Sequence, residues 1–221
     1  MKTRRHFAFI FGWDGMIPPT ADNVKAYFVS KELIDRGQRV TWTRYSHEDA
    51  CRTTREGIAI KDLRPLALPK LHRLSFLARV FSFCLREKVN AVYLDCWFFT
   101  RSDVHLLLFF QAMMKAIGTR ILYDARDPFP EYEIACGKLR EGTFKARLYR
   151  VLSCMLYKQS DVILVTSNEF KKYLERVYAV RPSKVHAIYH GADVETFNLG
   201  SSGRRVREKF GLRDKLVVGL E

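Results

Sequence analysis

Runs of continuous apolar residues alternate along this chain with stretches whose apolar positions recur every three or four residues. "HFAFIFGW" (6–13) reads as a strand covered on both faces, because no polar alternation marks a solvent side. "DNVKAYFVSKELIDRG" follows as a helix, with Asp22 or Asn23 placed to cap its start and Gly37 placed for a left-handed end. "QRVTWTRY" is the second strand. The less regular section 46–70 contains one further short strand candidate, "GIAIKDL". An amphipathic helix over 71–88 precedes the strand "NAVYLDC" (90–96), and an apolar helix spans 103–117. Then come the strand "TRILYDARD" (119–127), a long helix over 143–160, and the strand "DVILVTS" (161–167). The helix "NEFKKYLERVY" leads to a last strand of the series, "KVHAIYH" (184–190).

Strands separated by helices of this length pair in parallel through right-handed crossovers. The expected class is therefore α/β, a doubly wound and mostly parallel sheet. Ligands bind such sheets outside the carboxyl ends of the strands. That rule selects Trp13–Thr20, Asp95–Phe99, Arg126–Glu131, Thr166–Asn168 and His190–Asp193.

Composition narrows the class without naming a chemistry. The chain has 221 residues, 48% of them hydrophobic, and 38 Lys+Arg against 24 Asp+Glu give a formal charge of +14. That excess suits an anionic partner: nucleic acid, a membrane leaflet or a phosphorylated ligand. Five scattered cysteines without a C-x-x-C pair argue against a disulfide framework or a zinc site, and most are expected to be small core residues. The basic start "MKTRRHFAFIFGW" is read as a buried strand, since Asp14 interrupts it and no small-residue cleavage site follows. "VHLLLFFQAMMKAIG" falls short of the ~20 apolar residues that a membrane span needs.

The loops supply polar candidates. "GWDGMIPPTADN" has neither a dinucleotide fingerprint nor a P-loop, yet Pro18-Pro19 lead into a helix whose first N–H groups can face an anion. It is either an anion-facing turn, through Gly15, Pro19 and Thr20, or a plain loop. "YDARDPFPEY" puts Arg126 and Asp127 where a strand leaves the sheet: an Arg for phosphate with an Asp for a sugar hydroxyl, or an internal ion pair bracing the loop. In "HGADVETF", Gly191 permits a tight turn and Asp193 can cap the next helix. Hydrolytic and metal motifs are absent, and no metal site is expected.

Three stretches together resemble the amino-terminal half of family 4 retaining glycosyltransferases: "IPPTADNVKAYFVSKELIDRGQRVTW", "LYDARDPFPEY" and "SDVILVTSNEFKKYLERVYAVRPSKVHAIYHGADVETF". The most specific run is Ser160–Phe197, where His190, Gly191, Ala192, Asp193 and Phe197 stand at the family's closing turn. The resemblance implies one Rossmann-like half of a two-domain GT-B fold. Residues 1–198 would form the acceptor-side domain. Residues 199–221, with the apolar "KLVVGL", would form a linker and the first strand of a nucleotide-sugar-binding domain. It further implies a UDP- or GDP-sugar as substrate, a glycan or lipid-linked acceptor, no cofactor, and no activity for this chain alone. The family's Gly-Gly pair is replaced here by Thr20-Ala21, and its His-Asp pair by Arg126-Asp127, whereas Pro128, Pro130 and Glu131 match an "R-D-x-x-P-E" variant. Catalytic residues are not assigned. The active-cleft candidates are Arg126 and Asp127, with Gly15, Pro19, Thr20, Asp95, Glu131, Ser167, Gly191 and Asp193 lining the acceptor and donor cleft.

Basic residues in 71–88 (Arg73, Arg79, Arg86, Lys88) and 138–150 (Lys138, Arg140, Lys145, Arg147, Arg150) are either solvated helix faces with an apolar side in the core or, as in members acting on lipid-linked acceptors, faces that rest on anionic membrane. A cytoplasmic protein is the expectation, peripheral at the inner face of the membrane under the second of these readings. Two other readings remain open: a stand-alone Rossmann-like binding module or partner subunit, and a nucleic-acid-binding domain. The second has charge in its favour but none of the recognition motifs, so no nucleic-acid partner is expected.

Overall fold

The structure is a computed structural model describing residues 4–11, 24–54, 56–66, 71–95, 104–189, 202–213 and 215. Among the described residues eight strands are seen: β1 (His6–Phe11), β2 (Arg39–Tyr45), β3 (Ala50–Thr53), β4 (Ala59–Leu63), β5 (Ala91–Asp95), β6 (Arg120–Ala125), β7 (Val162–Val165) and β8 (Val185–Ala187). The helices are α1 (Val24–Asp35), α2 (His72–Arg86), α3 (Val104–Ala116), α4 (Glu131–Ala135), α5 (Phe144–Gln159), α6 (Asn168–Tyr178) and α7 (Arg204–Lys209). The strands form one sheet in the order β3-β4-β2-β1-β5-β6-β7-β8. Every pairing is parallel except β3 with β4. The expected doubly wound α/β sheet is what the chain forms.

Alternation along the strands sorts the core into two layers. Ala8, Ile10, Val92 and Leu94 face the side covered by α2, α3, α5 and α6, through side chains such as Phe76, Val80, Met114, Tyr157 and Leu174. Phe9, Phe11, Val40, Trp42, Ile60 and Tyr93 face the other side, which Ala26 of α1 helps to cover. Trp42 is fully buried and its indole donates to Ser30 on α1 at 2.9 Å, so the largest core side chain also satisfies its one polar atom. The chain runs outward from β1 to β2 and β4, then returns to place β5 on β1's other side. The topological switch point therefore lies between β1 and β5.

Several local signals act as expected. Gly37 adopts φ +76° beyond α1, and α6 occupies the span given by its apolar period, with Ser167 capping it through a bond from the Phe170 amide at 3.1 Å. Other features depart from expectation. The section 46–70 holds two strands rather than one, because β3 is an edge strand whose four residues are all exposed and so carries no apolar alternation. Of the four described cysteines only Cys84 is buried; Cys51 sits on that edge strand and Cys136 ends α4, a helix that buries nothing. The proposed caps Asp22 and Asn23 and the terminal strand 215–220 lie outside the described residues, apart from Lys215. The chain divides into two compact units, Met1–Tyr189 and His190–Glu221, of which the second contains α7.

One buried ion pair ties β2 to β4. Arg44 and Asp62 are register partners, both almost wholly buried, with Nε and Nη2 donating to the same carboxylate oxygen at 2.7 and 2.6 Å. Arg52 approaches the second oxygen at 3.4 Å from the edge strand. Removing one partner strands the other's charge in the core. Asp62→Ala is expected to destabilise the fold by about 3 kcal/mol, read from urea unfolding; a cost below about 1 kcal/mol would show the pair to be dispensable.

Candidate functional site

The carboxyl ends of β5 and β6 carry two acids in register, Asp95 opposite Asp124. Both are buried, Asp124 completely. A carboxylate taken out of water needs donors or a cation, and each acid has found one. Lys25, in the first turn of α1, is ion-paired with Asp124, and the Tyr93 hydroxyl donates to that carboxylate's other oxygen. Arg126, two residues beyond Asp124, is ion-paired with Asp95. The result is a compact cluster of two acids, two cations and a phenol at the strand ends, next to the switch point.

Asp95 and Arg126 are brought together, but the internal ion pair considered for Arg126 joins it to Asp95 rather than to its neighbour Asp127. Lys25, Tyr93 and Asp124 were missed. The signal lay in "AVYLD" and "RILYDA", where an acid stands at the last or the last-but-one position of a largely apolar strand. Glu131 opens α4 and serves as an anchor: it accepts from Arg150 Nε at 3.0 Å and from the Tyr178 hydroxyl at 2.9 Å. Ser167 caps α6 and makes no chemistry of its own visible. Gly15, Pro19, Thr20, Gly191 and Asp193 lie outside the described residues.

An open cleft of about 920 Å³ lies beside the cluster, between the loop after β6 and α6. Arg126, Asp127 and Pro128 form one wall; Phe170, Tyr173, Glu169, Lys172, Glu175 and Arg176 line the other. Thr166 at its floor donates to the Arg126 carbonyl at 3.3 Å. Glu175 Oε1 is shielded from water and has no hydrogen-bond partner among the described residues. The wall thus combines aromatic surface with carboxylates and cations, a set that can stack on a ring and bond hydroxyl or phosphate oxygens. Among the described residues no group of three or more His, Cys, Asp or Glu is arranged to hold a metal ion, and no helix is long and apolar enough to cross a membrane.

The Glycosyltransferase Family 4 model matches residues 25–196. The chain belongs to that family. Solved structures of glycosyltransferases share its fold at low identity. HepE from Anabaena, determined with UDP, is 13% identical with a TM-score of 0.56, the match covering 92% of this chain and 50% of that one. WaaG, involved in lipopolysaccharide biosynthesis, is 12% identical with a TM-score of 0.56, covering 94% and 52%. The catalytic domain of starch synthase IV from Arabidopsis thaliana, bound to ADP and acarbose, is 10% identical with a TM-score of 0.57, covering 91% and 54%. This chain thus spans about half the length of these glycosyltransferases and has the Rossmann-like fold of one GT-B half. A search of curated proteins returns no match.

Burial raises the phenol of Tyr93 well above the ordinary tyrosine range, and the negative charge and hydrogen bond of Asp124 add to it. Burial and the Glu131 charge likewise raise Tyr178, and burial above all pushes Tyr173 up to about 12. Unfolded tyrosines ionise near pH 10, whereas these stay protonated when folded, so above that pH the unfolded chain binds fewer protons. Stability is then fully present below about pH 10 and is lost as the pH rises beyond it. Thermal melts between pH 8 and 11 are expected to fall steeply above about pH 10, with a shallower fall in Tyr93→Phe; an unchanged slope in that variant would remove Tyr93 from the account.

Proposed function

We propose that this chain is the acceptor-side domain of a retaining, nucleotide-sugar-dependent glycosyltransferase of the hexosyltransferase type. The observation that carries the reading is the polar convergence at the ends of β5, β6 and β7 in a chain of this family: the Asp95–Arg126 pair, Asp127 beside it, and a cleft with aromatic and carboxylate walls. UDP- or GDP-sugars are the donors in this reading, and a glycan or lipid-linked molecule is the acceptor. The UDP held by HepE and the ADP held by starch synthase IV support a nucleotide donor by analogy.

In this reading the domain contributes position rather than a nucleophile. Asp127 and Glu175 accept from acceptor hydroxyls, and the Phe170–Tyr173 surface supports a sugar ring. Holding the acceptor hydroxyl in line with the donor converts a bimolecular encounter into an oriented one, which is where such an arrangement gains rate. Arg126 lines the cleft and sets the charge of its wall, with one of its terminal nitrogens held by Asp95. Neither a metal nor a cofactor takes part. Donor-binding groups and catalytic residues belong to a second domain, with residues 1–198 forming the first and 199–221 the junction. The reaction is placed in the cytoplasm, with basic faces of the domain in peripheral contact with anionic membrane, and the chain by itself is inactive.

Calorimetric titration with UDP- and GDP-sugars tests the division of labour. The 221-residue chain alone is expected to show no binding, and the gene's full-length product to bind one of the donors. In that product Asp127→Asn and Arg126→Ala are expected to lower kcat/KM by about 10- to 100-fold, within the range for removing positioning or charge-stabilising contacts. Tight donor binding by the short chain alone would instead support a self-contained binding module.

A further inference from the structure

The long helix α5 turns apolar residues to both of its sides. Ala146, Tyr149, Ser153, Leu156 and Tyr157 face inward. On the opposite side Phe144 is 81% exposed, Leu148 42%, Val151 57% and Met155 46%. Their spacing of four, three and four residues places all four on one line along the helix, so the exposure is a continuous stripe rather than scattered single residues. Cations border it on both sides. Arg147 and Lys158 are exposed along one edge, and Lys145 on the other reaches over the Tyr149 ring at 5.7 Å. The helix carries no acidic residue.

We infer that this stripe is the surface by which the domain lies on an anionic lipid leaflet, with α5 parallel to the membrane plane. The inference rests on the peripheral membrane contact of the preceding reading and assigns that contact a face. Three observations favour lipid over a second copy of this chain. An apolar line between cations matches an interface whose core is acyl chain and whose rim is phosphate. Two such stripes facing each other would bring cation against cation along both edges. A 16-residue helix offering four side chains also falls well short of the about 800 Å² per partner of a standard protein interface. Bound this way, Phe144, Leu148, Val151 and Met155 enter the headgroup boundary while Lys145, Arg147 and Lys158 extend their stems upward to the phosphates.

The test is co-sedimentation of the full chain with vesicles of equal parts phosphatidylglycerol and phosphatidylcholine, beside vesicles of phosphatidylcholine alone. The wild-type chain is expected to bind the anionic vesicles and not the neutral ones. The triple variant Leu148→Ser, Val151→Ser, Met155→Ser is expected to bind at least about ten-fold more weakly, with an unchanged thermal melt since all three positions are exposed. Undiminished binding by the variant overturns the assignment of α5 while leaving membrane contact standing on another face. If the wild-type chain binds neither vesicle, or forms a dimer in sedimentation velocity that the triple variant abolishes, the lipid assignment fails. Neither readout depends on donor binding or transfer activity.

Discussion

Asp124 is a carboxylate with no exposed surface, set in a strand flanked by β5 and β7 in the parallel sheet, and a charge there survives only if it is compensated. Its partners come from far along the chain: Lys25 is 99 residues away and Tyr93 is 31. Each bond therefore fixes one element against another. Lys25 ties the start of α1, which follows the first strand, to the end of β6. Tyr93 ties β5 to β6 on the same face. Because Asp95 stands in register with Asp124, the neighbouring strand end meets the same requirement, and Arg126 fulfils it. The geometry of the strand ends next to the switch point is largely the consequence of two buried acids needing two cations.

That internal balance shapes what the ligand-facing groups can offer. Arg126 is mostly buried and already bonded to Asp95, so under the proposed function a phosphate would meet a guanidinium whose direction is set and whose charge is partly answered. Such a group orients more than it captures. Asp127 lacks that commitment to the cluster, and it lines the open cleft with Glu175. The polar groups thus divide into an inner set that holds the strand ends in place and an outer set, Asp127 and Glu175, that lines the cleft. This is the arrangement by which a rigid scaffold keeps a site in shape before ligand arrives.

Much of the fold was legible because parallel strands buried on both faces announce themselves as apolar runs, and their helices as a 3.6-residue period. The helix Asn168–Tyr178 and the pairing of Asp95 and Arg126 with strand ends could be read directly. Edge strand β3 could not, since "ACRT" lies exposed and has no face to alternate. Nor could the partners of Asp124: sequence places an acid at a strand end but says nothing about a lysine 99 residues earlier. Helix α5 shows a different limit. "FKARLYRVLSCMLYKQ" has apolar residues along two lines, one at 146, 149, 156 and 157, with the small Ser153 among them, and one at 144, 148, 151 and 155. Periodicity identifies an amphipathic helix but cannot say which of two apolar lines faces the core. Packing against α3 and the sheet decides it.

The same helix links the two surfaces of functional interest. Arg150 of α5 donates to Glu131, and Glu131 opens α4 just after the loop that carries Arg126 and Asp127. Tyr178 of α6 bonds both that carboxylate and the Phe129 carbonyl, so the loop is held at its far end by α5 and α6 and at its near end by Asp95 and Thr166. A helix resting on a membrane would be fixed in orientation by it, and with these bonds the cleft loop would share that orientation. Under the proposed function and the lipid assignment of α5, a cleft anchored to that helix would meet an acceptor in the lipid phase at a set angle, and orientation would be the contribution of this domain.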